Sequence, residues 1–252
     1  MNSITRVTVV YHKNKMMKVL LCLICLAAAV KLNMADVLEE YEAKNIIDDE
    51  IYFHCRGMFV EEADNAYMIS NFFDKTGNSI LIEDIEYKSE SFEIVKYELE
   101  DYRTGRKEII TCRNNEYILR YRRNFDSSIK EKNIKKDGLI LHGSFLPIFI
   151  IKKLAMLNNG QEISFRLLVP LRPTTERFQL KQIGMKKVGG RECYEIKLEA
   201  SSWIARRLVA PMYFYIHTEK PNRLIMYKGR LLPTNEKGNP LDGTITFSYR
   251  AS

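Results

Sequence analysis

Long hydrophobic runs are nearly absent from this 252-residue chain: the longest uncharged apolar stretch, Val19 to Val30, has twelve residues. A membrane-spanning helix needs roughly 20, so a helical anchor is excluded there. The stretch instead follows Lys18 and runs into Ala27-Ala28-Ala29, the form of a secretory signal peptide. Tryptophan occurs once, histidine four times and cysteine five times, with Cys22 and Cys25 inside the apolar stretch. There is no G-x-S-x-G, no H-E-x-x-H and, after the stretch, no C-x-x-C, which removes the usual sequence signals for a serine hydrolase or a zinc site. His54 and Cys55 are adjacent, so on a strand they point to opposite faces and cannot form a nucleophile–base pair. The expectation is a non-enzyme with no catalytic residue, no metal site and no cofactor.

The expected organisation is a signal peptide over 1–29, cleaved before Val30 or alternatively before Asp36, and a single β-rich domain over 36–252. Met16 and Met17 are alternative starts to Met1, since Met16-Met17-Lys18 alone makes a compact basic lead. Loss of residues 1–29 removes Arg6, Lys13, Lys15 and Lys18 and no acid, taking the formal charge from +7 to about +3. Much of the basic balance therefore belongs to the targeting segment, and no nucleic-acid partner is expected. Cys55, Cys112 and Cys193 remain, either as one disulfide with a free thiol or as three buried thiols.

Alternating strands with turn residues between them dominate from Ile51 onward. Strands are predicted over 51–61, 65–73, 79–87, 92–102, 107–113, 116–123, 161–169, 176–184, 191–200, 211–218, 222–232 and 243–250. Val95, Tyr97 and Leu99 oppose Lys96, Glu98 and Glu100, and Tyr117, Leu119 and Tyr121 oppose Arg120 and Arg122. One dry and one wet face is the pattern of an antiparallel sheet. Charge on both faces of several strands argues against a lipid-facing outer-membrane barrel. Residues 36–50 read as a short helix or an extended lead-in, and the polar, basic 124–138 as a loop. One strong helix is expected over 145–157, capped by Ser144, with Pro147 in its first turn and Asn158-Asn159-Gly160 at its end. A helical turn is expected at Ser202 to Leu208.

The fold class that follows is mainly β: a large curved antiparallel sheet, half-barrel-like, with one apolar helix packed on its concave face. Two groups of side chains stand out. Phe165, Leu167, Phe178, Leu180, Phe214 and Ile216 alternate in step and form either a groove for an apolar ligand or the core beneath the helix. Arg120, Arg122, Arg123, Lys130 and Lys132 form a basic tract that is either a contact for an anionic surface or a solvated face.

The segments GQEISFRLLVP (160–170), ERFQLKQIGMKKVGGRECYEIKLEA (176–200) and MYFYIHTEKPNRLIMYKGRL (212–231), with a V-x-G-x-x-x-x-x-I unit from Val188 to Ile196, resemble exported β-rich proteins near the LolA and LolB lipoprotein carriers. The resemblance covers about 160–250 and is one of pattern. It implies a curved half-barrel closed by helices around an apolar cavity for lipid, and carries no individual functional residue. The expected function is thus a periplasmic or secreted, non-catalytic binding protein of the cell envelope, holding a lipid or other apolar ligand in a sheet–helix cavity. Its partners would be lipid or lipoprotein and an anionic membrane surface. The alternative is a structural or interaction module of the envelope with a packed core, and the third reading a secreted hydrolase using carboxylates.

Overall fold

The computed structural model describes residues 37–47, 50–169 and 173–249. The chain divides after Val37, and the account below concerns the unit Leu38–Ser252. The expected signal peptide and both cleavage points lie outside the described residues.

Strands β1 (Val37–Ile47), β2 (Glu50–Glu61), β3 (Asn65–Phe73), β4 (Ser79–Lys88), β5 (Ile94–Asp101), β6 (Lys107–Arg113), β7 (Glu116–Arg122) and β8 (Lys130–Lys135) form a meander. A short strand β9 (Ile140–Leu141), a 3₁₀ turn (Gly143–Phe145) and helix α1 (Leu146–Asn158) follow. The second meander is β10 (Ile163–Val169), β11 (Thr174–Val188), β12 (Arg191–Ala200), the helical turn α2 (Trp203–Leu208), β13 (Met212–His217), β14 (Leu224–Arg230) and β15 (Asp242–Tyr249). All fifteen strands belong to one sheet, in the order β8-β7-β6-β5-β4-β3-β2-β1-β15-β14-β13-β12-β11-β10-β9. The first and last strands meet at its centre, with Tyr41 opposite Tyr249 and Asn45 opposite Ile245. From β2 to β8 and from β1 through β15 to β10 the neighbours are antiparallel, while β9 and β10 are parallel.

The connectivity forces curvature. Laid flat, fifteen strands would span about 65 Å at roughly 4.8 Å per step. Yet the two edges, β8 and β9, are joined by residues 136–139 alone. That link reaches no more than about 18 Å, so the sheet has to curl until its edges approach. Side chains record the same closure: Arg103 Nη2 donates to Thr234 O at 2.8 Å and Arg106 Nη1 to Leu232 O at 3.2 Å, joining the β5–β6 turn to the β14–β15 connection.

Alternation fills the interior. Met68, Ile85, Tyr97, Ile110 and Leu119 form one cross-strand row, all buried. A register shift between Glu86 and Tyr87 makes Ile94, rather than Val95, the buried residue at the start of β5. Helix α1 lies over this face with Leu146, Phe149, Ile150, Leu154 and Leu157 buried on one stripe. Phe149 meets Phe92 of the first meander at 5.0 Å and Phe165 of the second at 5.7 Å, so the helix bridges both halves.

Several expectations are corrected. Of the two readings for 36–50 the helix is overturned and the extended one holds: residues 37–47 form a strand, because β15 supplies its pairing partner. The basic stretch read as a loop contains the edge strand β8, paired to β7 from Tyr121–Lys130 to Glu116–Lys135. Ser144 does not cap α1; the cap position is Phe145, without a side-chain bond. Pro147 does sit in the first turn and Gly160, at φ +77°, follows the end. The turn at α2 is capped by Ser202, whose hydroxyl accepts from Ala205 N at 3.0 Å.

Candidate functional site

The six apolar candidates come together in the one large apolar cluster that also contains the buried stripe of α1. Phe165, Phe178, Leu180, Phe214 and Ile216 are buried, and Leu167 is half-buried against them. Phe165 faces Phe178 across β10–β11, and Phe214 on β13 stacks at a tilt on Tyr227, 5.0 Å away. They share one apolar cluster with the α1 stripe, and α1 meets them at Phe165, which lies 5.7 Å from Phe149. Two surface clefts, of about 350 and 400 Å³, lie elsewhere, at the β12–β13–β14 turns around Arg191 and His217.

Next to the start of α1 the interior turns polar. Glu83 on β4 and Glu108 on β6 lie in one cross-strand row on either side of Leu99, with Ser70 beyond Glu83. Glu83 is 2% and Glu108 0% exposed. Ser144, in the 3₁₀ turn, donates its hydroxyl to Glu83 Oε1. The Tyr97 ring stacks on His142 at 4.0 Å, and the Tyr97 hydroxyl lies beside the Glu83 carboxyl without well-formed hydrogen-bond geometry. Glu108 accepts from Arg106 Nε at 2.7 Å, while its second oxygen has no protein partner. Asp101 accepts from the backbone of Arg103 at 2.9 Å and Thr104 at 3.2 Å.

Burial sets the protonation of this cluster. Desolvation pushes the Glu83 carboxyl up to about 7, against the Ser144 hydrogen bond that favours its ionised form. Desolvation also lowers His142 to about 3, helped by the Arg106 charge, so its imidazole is neutral. The enclosure thus holds two ion pairs, Arg106–Glu108 and, at its edge, Arg103–Asp101, beside a Glu83 carboxyl poised near its midpoint at neutral pH. These residues were not picked out from the sequence, although the signal existed: Glu83 shares the parity of Leu81 and Ile85, and Glu108 that of Ile110. No group of three metal-ligating side chains occurs among the described residues.

The five basic candidates do not share one face. Arg120 and Arg122 point outward, where Arg120 pairs with Glu131 at 2.7 Å and Arg122 Nε donates to Gly105 O at 2.8 Å. Lys130 and Lys132 stand opposite Tyr121 and Leu119, on the rim of the inner face. Arg123 begins the exposed connection between β7 and β8. None of Cys55, Cys112 and Cys193 is in a disulfide; Cys55 and Cys193 are buried and Cys112 half-buried.

No protein-family model matches this chain, and no curated protein matches it either. Among solved structures it is similar to a β-barrel-like protein of the domain of unknown function DUF1849 from Brucella abortus, with a TM-score of 0.43 and 5% identity, covering 86% of this chain and 100% of that one.

Proposed function

We propose that this protein is a non-catalytic binding protein of a cell envelope that holds an acyl chain or similar apolar ligand between α1 and the concave face of its sheet. The observation that carries the reading is one apolar helix that bridges both meanders, its Phe149 on Phe92 and Phe165, within the same apolar cluster as Phe178, Leu180, Phe214 and Ile216. An acyl chain entering there replaces the contacts of α1 with its own, at about 0.8 kcal/mol per buried methylene. Loading therefore requires α1 to swing away. The polar ties to be broken are few: Ser144 to Glu83 before the helix, and Lys152 to Glu61 and to Ser89 O along it. The export signal read in residues 1–29 and the resemblance to the lipoprotein carriers support the same assignment. The enclosure of Glu83 and Glu108 favours a structural rather than a catalytic role for them.

Titration with a fluorescent fatty acid, combined with amide hydrogen exchange, tests this. Saturable one-to-one binding with altered exchange across 146–158 supports it; no saturable binding and unchanged exchange there overturn it. A packed interaction module is the second reading, favoured by β8, which ends the sheet with one side unpaired by any strand among the described residues.

A further inference from the structure

The connection between β7 and β8, residues 123–129, leaves two large apolar side chains in solvent: Phe125 is 63% and Ile129 59% exposed. Exposed apolar side chains are ordinary when scattered singly, but two on one short connection point to a contact surface when a suitable charge pattern surrounds them. Here it does. Residues 120–136 contain seven cations (Arg120, Arg122, Arg123, Lys130, Lys132, Lys135, Lys136) against two acids, Asp126 and Glu131, a local charge of +5. Glu131 is taken up by Arg120, and Lys136 pairs with Glu93. Arg123, Lys130, Lys132 and Lys135 make no ion pair among the described residues.

The tip is also built rather than loose. Phe125 N donates to Thr104 O at 3.1 Å. The Phe125 ring lies over Gly105, so close that a Cβ added there would stand 2.5 Å from it. Arg122 sits 5.9 Å above the same ring while bonding Gly105 O. The chain thus spends a positive-φ glycine and an arginine on fixing an aromatic residue that still projects outward.

We infer that this hairpin tip is a docking surface for an anionic lipid bilayer, with Phe125 and Ile129 entering the headgroup region and the flanking cations meeting the lipid phosphates. Aromatic and aliphatic side chains between cations are what an interfacial anchor requires: apolar area to bury and charge to attract. That the cations fall on both faces of the hairpin suits an edge-on approach, in which both faces flank the inserted tip. The docking surface is separate from the α1 interior, so docking and acyl binding are independent measurements, and either can fail without the other.

Co-sedimentation with vesicles of phosphatidylcholine alone and of equal parts phosphatidylcholine and phosphatidylglycerol tests it. The intact protein should pellet with the mixed vesicles, not the neutral ones, and be released by salt. Arg123→Glu with Lys130→Glu should lower the partition coefficient by about tenfold or more. Ile129→Ser should weaken binding several-fold without touching the fold, since its side chain packs into no core; Phe125→Ser should weaken it too, but because its ring packs on Gly105 and Arg122 the clean readout is Ile129→Ser. Absence of binding, or variants that bind like the parent, overturns the proposal. A blue shift of the lone Trp203, exposed on α2, together with unaffected hairpin variants would overturn it in favour of α2 as the docking face.

Discussion

Ser144, at the entry to the long helix, donates its hydroxyl hydrogen bond to the buried carboxyl of Glu83 on strand β4. This bond ties the start of α1 to the sheet it covers. Because Glu83 is enclosed, the tie is sensitive to protonation in a defined direction. Glu83 titrates near 7 in the fold, against an ordinary value of 4.5, so the unfolded chain releases its proton first as pH rises. Its contribution to stability is therefore largest below about pH 4.5, declines between 4.5 and 7, and is lost above; the gap corresponds to roughly 3 kcal/mol.

His142 works in the opposite sense. Held near 3 from an ordinary 6.5, it resists a proton that the unfolded chain accepts, so stability falls as pH drops below 6.5. The parent protein should thus show a muted pH dependence between 4.5 and 6.5. Glu83→Gln should be level from pH 8 to 6.5 and then lose stability steadily. Chemical denaturation across pH 4.5–8 checks this, and parallel curves for the two proteins would contradict it.

Among the described residues Arg106 is the sole cation bonded to the fully buried Glu108, and it also donates to Leu232 O. Arg106→Met leaves that carboxylate uncompensated and should cost about 3–5 kcal/mol. Arg106→Met combined with Glu108→Leu should cost less than Arg106→Met alone, measured as denaturation free energies in one cycle.

Phe149 is 1% exposed and touches Phe92 and Phe165, one from each meander. Phe149→Ala should destabilise by about 3–5 kcal/mol. On the same helix, Met156 is 42% exposed, and Met156→Ala should change the unfolding free energy by no more than about 0.5 kcal/mol.

Gly105 has φ +74° and no room for a Cβ under Phe125, whereas Gly77 has φ +87° and open space. Gly77→Ala should cost only the backbone penalty, about 1 kcal/mol. Gly105→Ala should cost more and should release the 123–129 loop, seen as faster amide exchange at Phe125.

Much of this architecture is written in local chemistry. Gly77 and Gly189-Gly190 mark hairpins, the parity of Tyr97 and Leu99 marks the dry face, and the 145–157 run marks the helix. What escaped depends on partners distant in sequence. The charged segment Val37–Ile47 is a strand because β15 pairs with it, a contact some two hundred residues away. Strand β8 carries no hydrophobic alternation, since an edge strand of the rim buries almost nothing. The acidic interior was missed because acids normally mark the wet face. Glu83 and Glu108 break that rule: Ser144, 61 residues on and brought in by the fold, bonds Glu83, whereas Arg106, bonded to Glu108, is a neighbour two residues away.

The most direct test of the central claim, that α1 covers a binding face for an acyl ligand, is native mass spectrometry of the protein purified without detergent from the cells that make it. The account predicts a population heavier than the polypeptide by the mass of a lipid, with the excess released on denaturation and identifiable in the organic extract. A single species at the polypeptide mass under gentle conditions, with no lipid in the extract, would contradict it.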